Sequence, residues 1–335
     1  MKALRKISIL LIIAITGVFT ACTQNDEVKL SENLRLRHKG ADMPIWVRGN
    51  LQSRKILLYL HGGPGECSLC LREFFEPIEQ EIAVVYWDQR MAGSASGNAD
   101  PATLNYSQFA EDLEMVVKLL KQQYPNTEIY LFGHSFGVEM AWQFLTTGEN
   151  QSLVKAFIAL DGTYSTYDWL VQVREWVIRE ARLKSDTEAE EFMLAHPVTR
   201  ENMRQINWGD WYSRMFRVGA NPVWPTDDKG YNFNIWFKMP HSKFSQIANT
   251  SQYDHYYAEE IFNFDRSELL KNVRIPVALF WGAKDGIIPI EIAYKTRDLL
   301  TAPVTFVSFE NSWHSAFHTE NEKFSKEILS FVNEN

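Results

Sequence analysis

Short unbroken apolar runs punctuate the chain: Ile56 to Leu60, Ile82 to Trp87, Ile129 to Phe132, Ala156 to Leu160, Val277 to Trp281 and Thr305 to Phe309. Runs of this kind, bounded by glycine and polar residues, predict strands buried on both faces, as in a parallel sheet. Helical patterns lie between them. Phe109, Leu113, Val116 or Val117, and Leu120 fall on one face of a helix capped by Ser107. Phe324, Ile328, Leu329 and Val332 do the same after a Thr319-x-x-Glu322 capping box. Strands alternating with helices imply right-handed crossovers and a mostly parallel sheet. Ahead of this core, Leu34, Leu36 and His38 alternate, Met43 to Val47 follows, and Gly49-Asn50 makes a turn, which predicts an opening antiparallel hairpin.

From Gly162 to about Leu270 the strand-like runs vanish. Trp169, Val173, Trp176 and Val177 recur at helical spacing, Ser185-x-x-Glu188 reads as a capping box, and six of the 11 tryptophans fall here. The segment is expected to be a helical cap inserted into the core. Most of its aromatics would pack the cap on itself, and some would line a closed apolar pocket above the sheet. The expected plan is a signal peptide over 1–21, a polar tether over 22–33, a core of 34–161 and 271–335, and a cap of 162–270.

At 335 residues and 45% hydrophobic content the chain is long enough for this plan. Its formal charge of -8, without a basic tract, argues against a nucleic-acid partner. The N-terminus carries Lys2, Arg5 and Lys6, then an apolar run from Ile7 to Phe19, then Thr20-Ala21-Cys22. That run is short for a membrane span, which needs about 20 apolar residues, and fits a targeting signal. Cys22 with its small neighbours resembles a bacterial lipobox, with Phe19 where leucine is usual. Cys22 would then be the lipidated first residue of an envelope protein, periplasmic or surface-exposed, held to the membrane by the lipid. The competing reading is ordinary secretion with cleavage near Ala21. The other two cysteines, Cys67 and Cys70, have no partners for a zinc site and read as a local disulfide or two packed thiols.

Candidate chemistry centres on Gly133-His134-Ser135-Phe136-Gly137, where a β-prone run turns sharply into a helix-prone one. This is the order of a nucleophile elbow, whose strained serine needs small residues two positions either side. The loop His61-Gly62-Gly63-Pro64-Gly65 follows another buried strand, so Gly63 and Phe136 N–H are the natural oxyanion donors, and His61 is read as organising its loop. Asp285 and His314 each sit on a loop after a strand, which places both at the edge where open sheets gather functional groups. The chain order Ser135, Asp285, His314 is that of an α/β-hydrolase. His314 would be the general base and Asp285 its orienting acid, with Asp161 the alternative acid and His318 a surface or capping residue. With neutral histidine as the base, activity is expected to fall on acidification through a pKa near ~6.5. Neither metal nor other cofactor is called for.

These residues, with Trp87-Asp88-Gln89-Arg90 and Trp313-His314-Ser315-Ala316, resemble the proline iminopeptidase family of α/β-hydrolases, serine exopeptidases that release an N-terminal residue. The resemblance covers 34–160 and 271–335 and implies Ser135, Asp285 and His314 as triad, with Gly63 and Phe136 as oxyanion donors. Two positions depart. Met91 follows Arg90 where the family has glycine. Tyr253-Asp254-His255-Tyr256-Tyr257 is the nearest match to a cap stretch whose glutamate binds the substrate α-ammonium, and Tyr253 falls at that glutamate. Because a buried cation needs a carboxylate, Asp254, Glu259 or a glutamate of 188–191 are the candidates. The implied substrate is a short peptide. A carboxylesterase or small-molecule amide hydrolase would use the same machinery, and a non-catalytic binding lipoprotein is the alternative of another class.

Overall fold

A computed structural model describes residues 30–221 and 259–335. The expected opening hairpin forms from β1 (Leu30–His38) and β2 (Ala41–Gly49), paired antiparallel from Leu30 opposite Gly49 to His38 opposite Ala41. β1 therefore starts four residues inside the segment expected as tether, because Ser31 to Asn33 gain strand partners in Arg48 to Trp46.

The buried runs become β3 (Lys55–Leu60), β4 (Ala83–Trp87), β6 (Glu128–His134), β7 (Ala156–Leu160), β8 (Val277–Gly282) and β9 (Val304–Phe309), with a two-residue β5 (Ser96–Gly97) against β2. Among the described residues these form one sheet in the order β1-β2-β4-β3-β6-β7-β8-β9, parallel from β4 onward. Helices α1 (Arg72–Glu79), α2 (Tyr106–Gln123) and α3 (Phe136–Leu145) connect its first half. The cap contributes α4 (Thr166–Lys184), α5 (Thr187–Ala195), α6 (Trp208–Arg217) and the single turn α7 (Ser267–Leu270). α8 (Glu291–Leu299), α9 (Ala316–Thr319) and α10 (Asn321–Glu334) close the chain. No described helix is long and apolar enough to cross a membrane.

Strand side chains alternate between two cores. Ile56, Leu58 and Leu60 of β3 join α2, α3 and the cap helices, whereas Leu57 and Tyr59 join Phe75 of α1 and Phe324, Ile328 and Val332 of α10. The central strands are thus covered on both faces, which is why β3, β4, β7 and β8 lack a polar face, while the edge strand β1 alternates. Chain direction reverses at β3: the connection to β4 runs over one face through α1, and the return to β6 runs over the other through α2. The loops after β3 and β6 therefore diverge and leave a crevice at the strands' carboxyl ends.

Three expected helix caps shift. Asn105, not Ser107, caps α2 by accepting from Gln108 N–H at 2.9 Å. Asp186 caps α5, because Ser185 is taken by the left-handed end of α4. Thr319 donates to Ser312 Oγ at 2.6 Å instead of capping α10. In each case a neighbouring polar residue reaches the orphan N–H groups, or a tertiary partner claims the hydroxyl first.

Candidate active site

Ser135 emerges from β6 at the head of α3 with φ 53° and ψ -121°, a conformation costly to any residue with a Cβ. Its N–H is fixed by the Leu160 carbonyl at 3.0 Å. The turn also needs Gly137, since a Cβ there would stand 2.0 Å from the Leu60 carbonyl oxygen of β3. The elbow read from the sequence is present, and the strain lies on the serine itself.

Asp285, after β8, and His314, after β9, are buried and joined by a 2.8 Å hydrogen bond from His314 Nδ1 to Asp285 Oδ2. Asp285 Oδ1 accepts from Ile287 N–H at 2.7 Å and Ile288 N–H at 3.1 Å. Ser135 reaches the same edge through its neighbour. The His134 ring centroid is 5.0 Å from that of His314, and His134 Nε2 donates to the His314 carbonyl at 2.7 Å. Burial pushes His314 down from 6.5 to about 3, below the value expected from the sequence, because an imidazolium enclosed by protein loses its water.

Asp161, the alternative acid, is also buried in this cluster, at a positive φ of 50°. Burial raises both carboxyls above the usual range, and the charge of Asp285 adds to the rise of Asp161. Asp285 holds two backbone N–H groups and the His314 ring. Asp161 holds one, Gly282 N–H at 2.8 Å. Asp285 thus has three hydrogen-bond donors to hold a negative charge where Asp161 has one. His134, Asp161 and His314 are also the one set among the described residues with metal-ligand spacing, within 4.8 Å of one another. One ring nitrogen of each histidine is already taken, by the His314 carbonyl and by Asp285.

The glycine loop after β3 is held from beneath. His61 Nδ1 donates to the Gly62 carbonyl at 2.9 Å, its Nε2 accepts from Gln89 N–H at 3.3 Å, and burial lowers its pKa to about 4. That is the organising role read from the sequence. Asp88 accepts from Ser68 N–H, Ser68 Oγ and Ser94 N–H at 2.7 to 2.8 Å, while Cys67 and Cys70 form a disulfide around Ser68. Arg90 is fully buried in a two-pronged pair with Asp112 of α2, at 2.7 Å for its second prong. Met91, the departure noted in the sequence, sits at φ 55°, the left-handed region in which glycine is unstrained. At the loop's outer edge Gly63 is exposed, and Phe136 opens α3 directly after Ser135.

The cap braces the acid loop. Trp169 Nε1 donates to the Ile287 carbonyl at 2.6 Å, Trp176 packs on Gly286, and Gly286 N–H donates to the Ala220 carbonyl at 3.0 Å. Trp169 stacks on Trp208, and Trp208 on Phe262 and Tyr212, so these aromatics pack the cap on itself as expected. Tyr253 and Asp254 lie outside the described residues. Glu259 is at the surface, its side chain 87% exposed and paired with Arg204 at 3.3 Å, so water and arginine already compensate its charge. Of the run 188–191, Glu188 is exposed and pairs with Arg214 and Arg217, and Glu190 pairs with Arg182. His318 packs edge-on against Phe74, away from the Asp285 and His314 pair. One carboxylate near the elbow was missed. Glu66, directly after the Gly-Gly-Pro-Gly loop, turns back toward Ser135, and its position next to that loop was the available signal.

Comparison with known proteins fits this geometry. The family described as alpha/beta hydrolase fold matches residues 55–321. A probable aminopeptidase of Bacillus subtilis (strain 168) is 23% identical over 298 residues, covering 85% of this chain and 91% of the relative. A proline iminopeptidase of Saccharolobus solfataricus is 24% identical over 289 residues, covering 84% and 86%. The crystal structure of a proline iminopeptidase of Mycobacterium smegmatis superimposes with a TM-score of 0.64 at 14% identity, covering 90% of this chain and 98% of that one. With the family matching most of its length and the sheet, crevice and elbow in place, the chain belongs to the alpha/beta hydrolase fold family.

Proposed function

We propose that this protein is a serine aminopeptidase of the proline iminopeptidase kind, acting on short peptides. The observations that support the reading are the strained Ser135 at the head of α3 and the hydrogen-bonded pair of His314 and Asp285, with the His314 ring packed 5.0 Å from the ring of His134, the neighbour of Ser135. His314 Nε2 takes the Ser135 Oγ proton as the oxygen attacks the carbonyl carbon of the first residue. The oxyanion that forms is held by Gly63 and Phe136 N–H, each such donor contributing roughly 3 to 4 kcal/mol. Protonated His314 gives its proton to the leaving amine, and the peptide bond breaks. Water, deprotonated by the same ring, then attacks the acyl-Ser135 ester, frees the N-terminal residue as its acid and restores the serine. Asp285 keeps the imidazole in the tautomer with Nδ1–H and stabilises the cation.

Cys22, lipidated after removal of 1–21, would tether the enzyme to the cell envelope. The relatives named probable aminopeptidase and proline iminopeptidase support the peptidase side of the reading. The test is labelling with a fluorophosphonate followed by hydrolysis assays. The intact protein should label, Ser135→Ala should not, and a Pro-arylamide should be cleaved faster than its N-blocked form. Failure of the intact protein to label would leave a binding protein. Equal rates on blocked and free substrates, with simple aryl esters cleaved faster, would make it an esterase.

A further inference from the structure

His134 ends β6 in register with Leu160 of β7, and Ser135 follows it directly. The elbow is therefore anchored in the sheet, by strand pairing and by the Ser135 N–H bond to Leu160. His314 lies in a different setting, on the loop between β9 and α9, outside both elements.

Two carbonyl groups of that loop are held from the other parts of the site. The Ser312 carbonyl accepts from the N–H of Lys284, the residue before Asp285, at 3.0 Å. The His314 carbonyl accepts from Nε2 of His134, the residue before Ser135, at 2.7 Å. The base loop is thus pinned to the acid loop by a main-chain bond and to the elbow by a side chain, the latter across 180 residues of sequence.

The surroundings of the His134 ring suit that one bond. A carbonyl oxygen only accepts, so the proton of the neutral imidazole sits on Nε2. Nδ1 is buried with no partner among the described residues, beside Gly62, where a Cβ would stand 3.2 Å from it. Burial lowers the pKa of His134 from 6.5 to about 3, and the nearby His314 adds to the shift. The ring then stays neutral, and no second cation stands beside His314 when that ring takes up a proton. Phe317 of α9 packs edge-on against His134 at 5.0 Å, within the core below the sheet, and limits its rotation.

A general base works only within about 2.6 to 3.2 Å of the group whose proton it takes. A misplacement of about 1 Å costs on the order of 100-fold in rate. A base carried on a loop needs a rigid reference for that accuracy, and the end of β6 supplies one.

Resting on the serine hydrolase reading above, we propose that His134 is a positioning residue, whose bond to the His314 carbonyl sets the base loop against the elbow and holds His314 at working distance from Ser135. It touches no reacting atom and exchanges no proton.

The test is saturation kinetics of fluorophosphonate labelling, which needs Ser135 and His314 but no particular peptide, on wild type, His134→Gln and His134→Asn. Glutamine can place an N–H where Nε2 stands, whereas asparagine reaches only the place of Nδ1. His134→Asn should lower the maximal labelling rate on the order of 10- to 100-fold at an unchanged half-saturating reagent concentration, and His134→Gln by less than about fivefold. Should the asparagine variant not fold, His134→Phe, which keeps a ring against Phe317 without a donor, takes its place with the same expectation. Equal maximal rates with and without the donor, or a change confined to the half-saturating concentration, overturns the positioning role and leaves the hydrolase reading standing. A wild type that does not label overturns both.

Discussion

Asp161 and Asp285 compete for one charge, and their partners decide the winner. Because Asp285 has three donors, including the His314 ring, and Asp161 has one, Asp285→Asn should cost about 10⁴-fold in kcat through loss of the correct tautomer. Asp161→Asn, which keeps an oxygen for Gly282 N–H, should cost less than about tenfold by comparison. Reversed magnitudes would make Asp161 the acid. For His314, burial lowers the pKa, so the base stays neutral further into acid, and the acid limb of kcat/KM should lie below the ordinary value of about 6.5. A limb at or above that value in a pH-rate profile would mean that the Asp285 charge outweighs desolvation. Glu139 of α3 is buried and receives the Tyr106 hydroxyl, and burial raises its pKa from 4.5 to about 8. The folded protein then holds a proton that the unfolded chain has lost, so this contribution to stability is complete below pH 4.5 and is lost as pH rises through about 8. Glu139→Gln should therefore gain in Tm over wild type as melts are taken from pH 5 to pH 8.5; a constant difference would refute this.

Loops after strands place the chemistry, and close backbone contacts place the loops. A Cβ at Gly282, at the end of β8, would stand 1.8 Å from the Trp313 carbonyl oxygen. Gly282→Ala should push the His314 loop outward and lower kcat more than it changes KM, which steady-state kinetics will show. The loop after β4 is fixed differently, by the fully buried Arg90 and Asp112 pair that ties it to α2. Arg90→Met strands a buried carboxylate and should destabilise the fold by about 3 to 5 kcal/mol in urea unfolding, and adding Asp112→Leu should recover much of that. The strands were legible in the sequence because a strand buried on both faces is an uninterrupted apolar run. Helix starts were less so: Asn105 and Asp186 cap where Ser107 and Ser185 were expected, since two polar neighbours compete for the same N–H groups and only backbone geometry settles which one reaches them.

Across the whole molecule, the sheet gathers residues from four distant parts of the chain, and the cap locks onto the acid loop through Trp169, Trp176 and Ala220. If Cys22 carries a lipid, Cys22→Ser should move the protein from the membrane fraction to the soluble one on fractionation of cells; an unchanged distribution would remove the anchor. Sequence alone determined the fold class, the elbow and the chain order of Ser135, Asp285 and His314, because burial pattern and turn chemistry are local properties. It favoured Asp285 and kept Asp161 as the alternative, since both follow strands; the donors that converge on each come from elsewhere in the chain and appear only in the tertiary structure. It did not find Glu66, which reads as one more polar residue after a glycine loop. Only the tertiary structure brings that side chain and Ser135 to one point beside Gly62, because the ends of β3 and β6 are neighbours in the sheet although Leu60 and its partner Gly133 are 73 residues apart in the sequence.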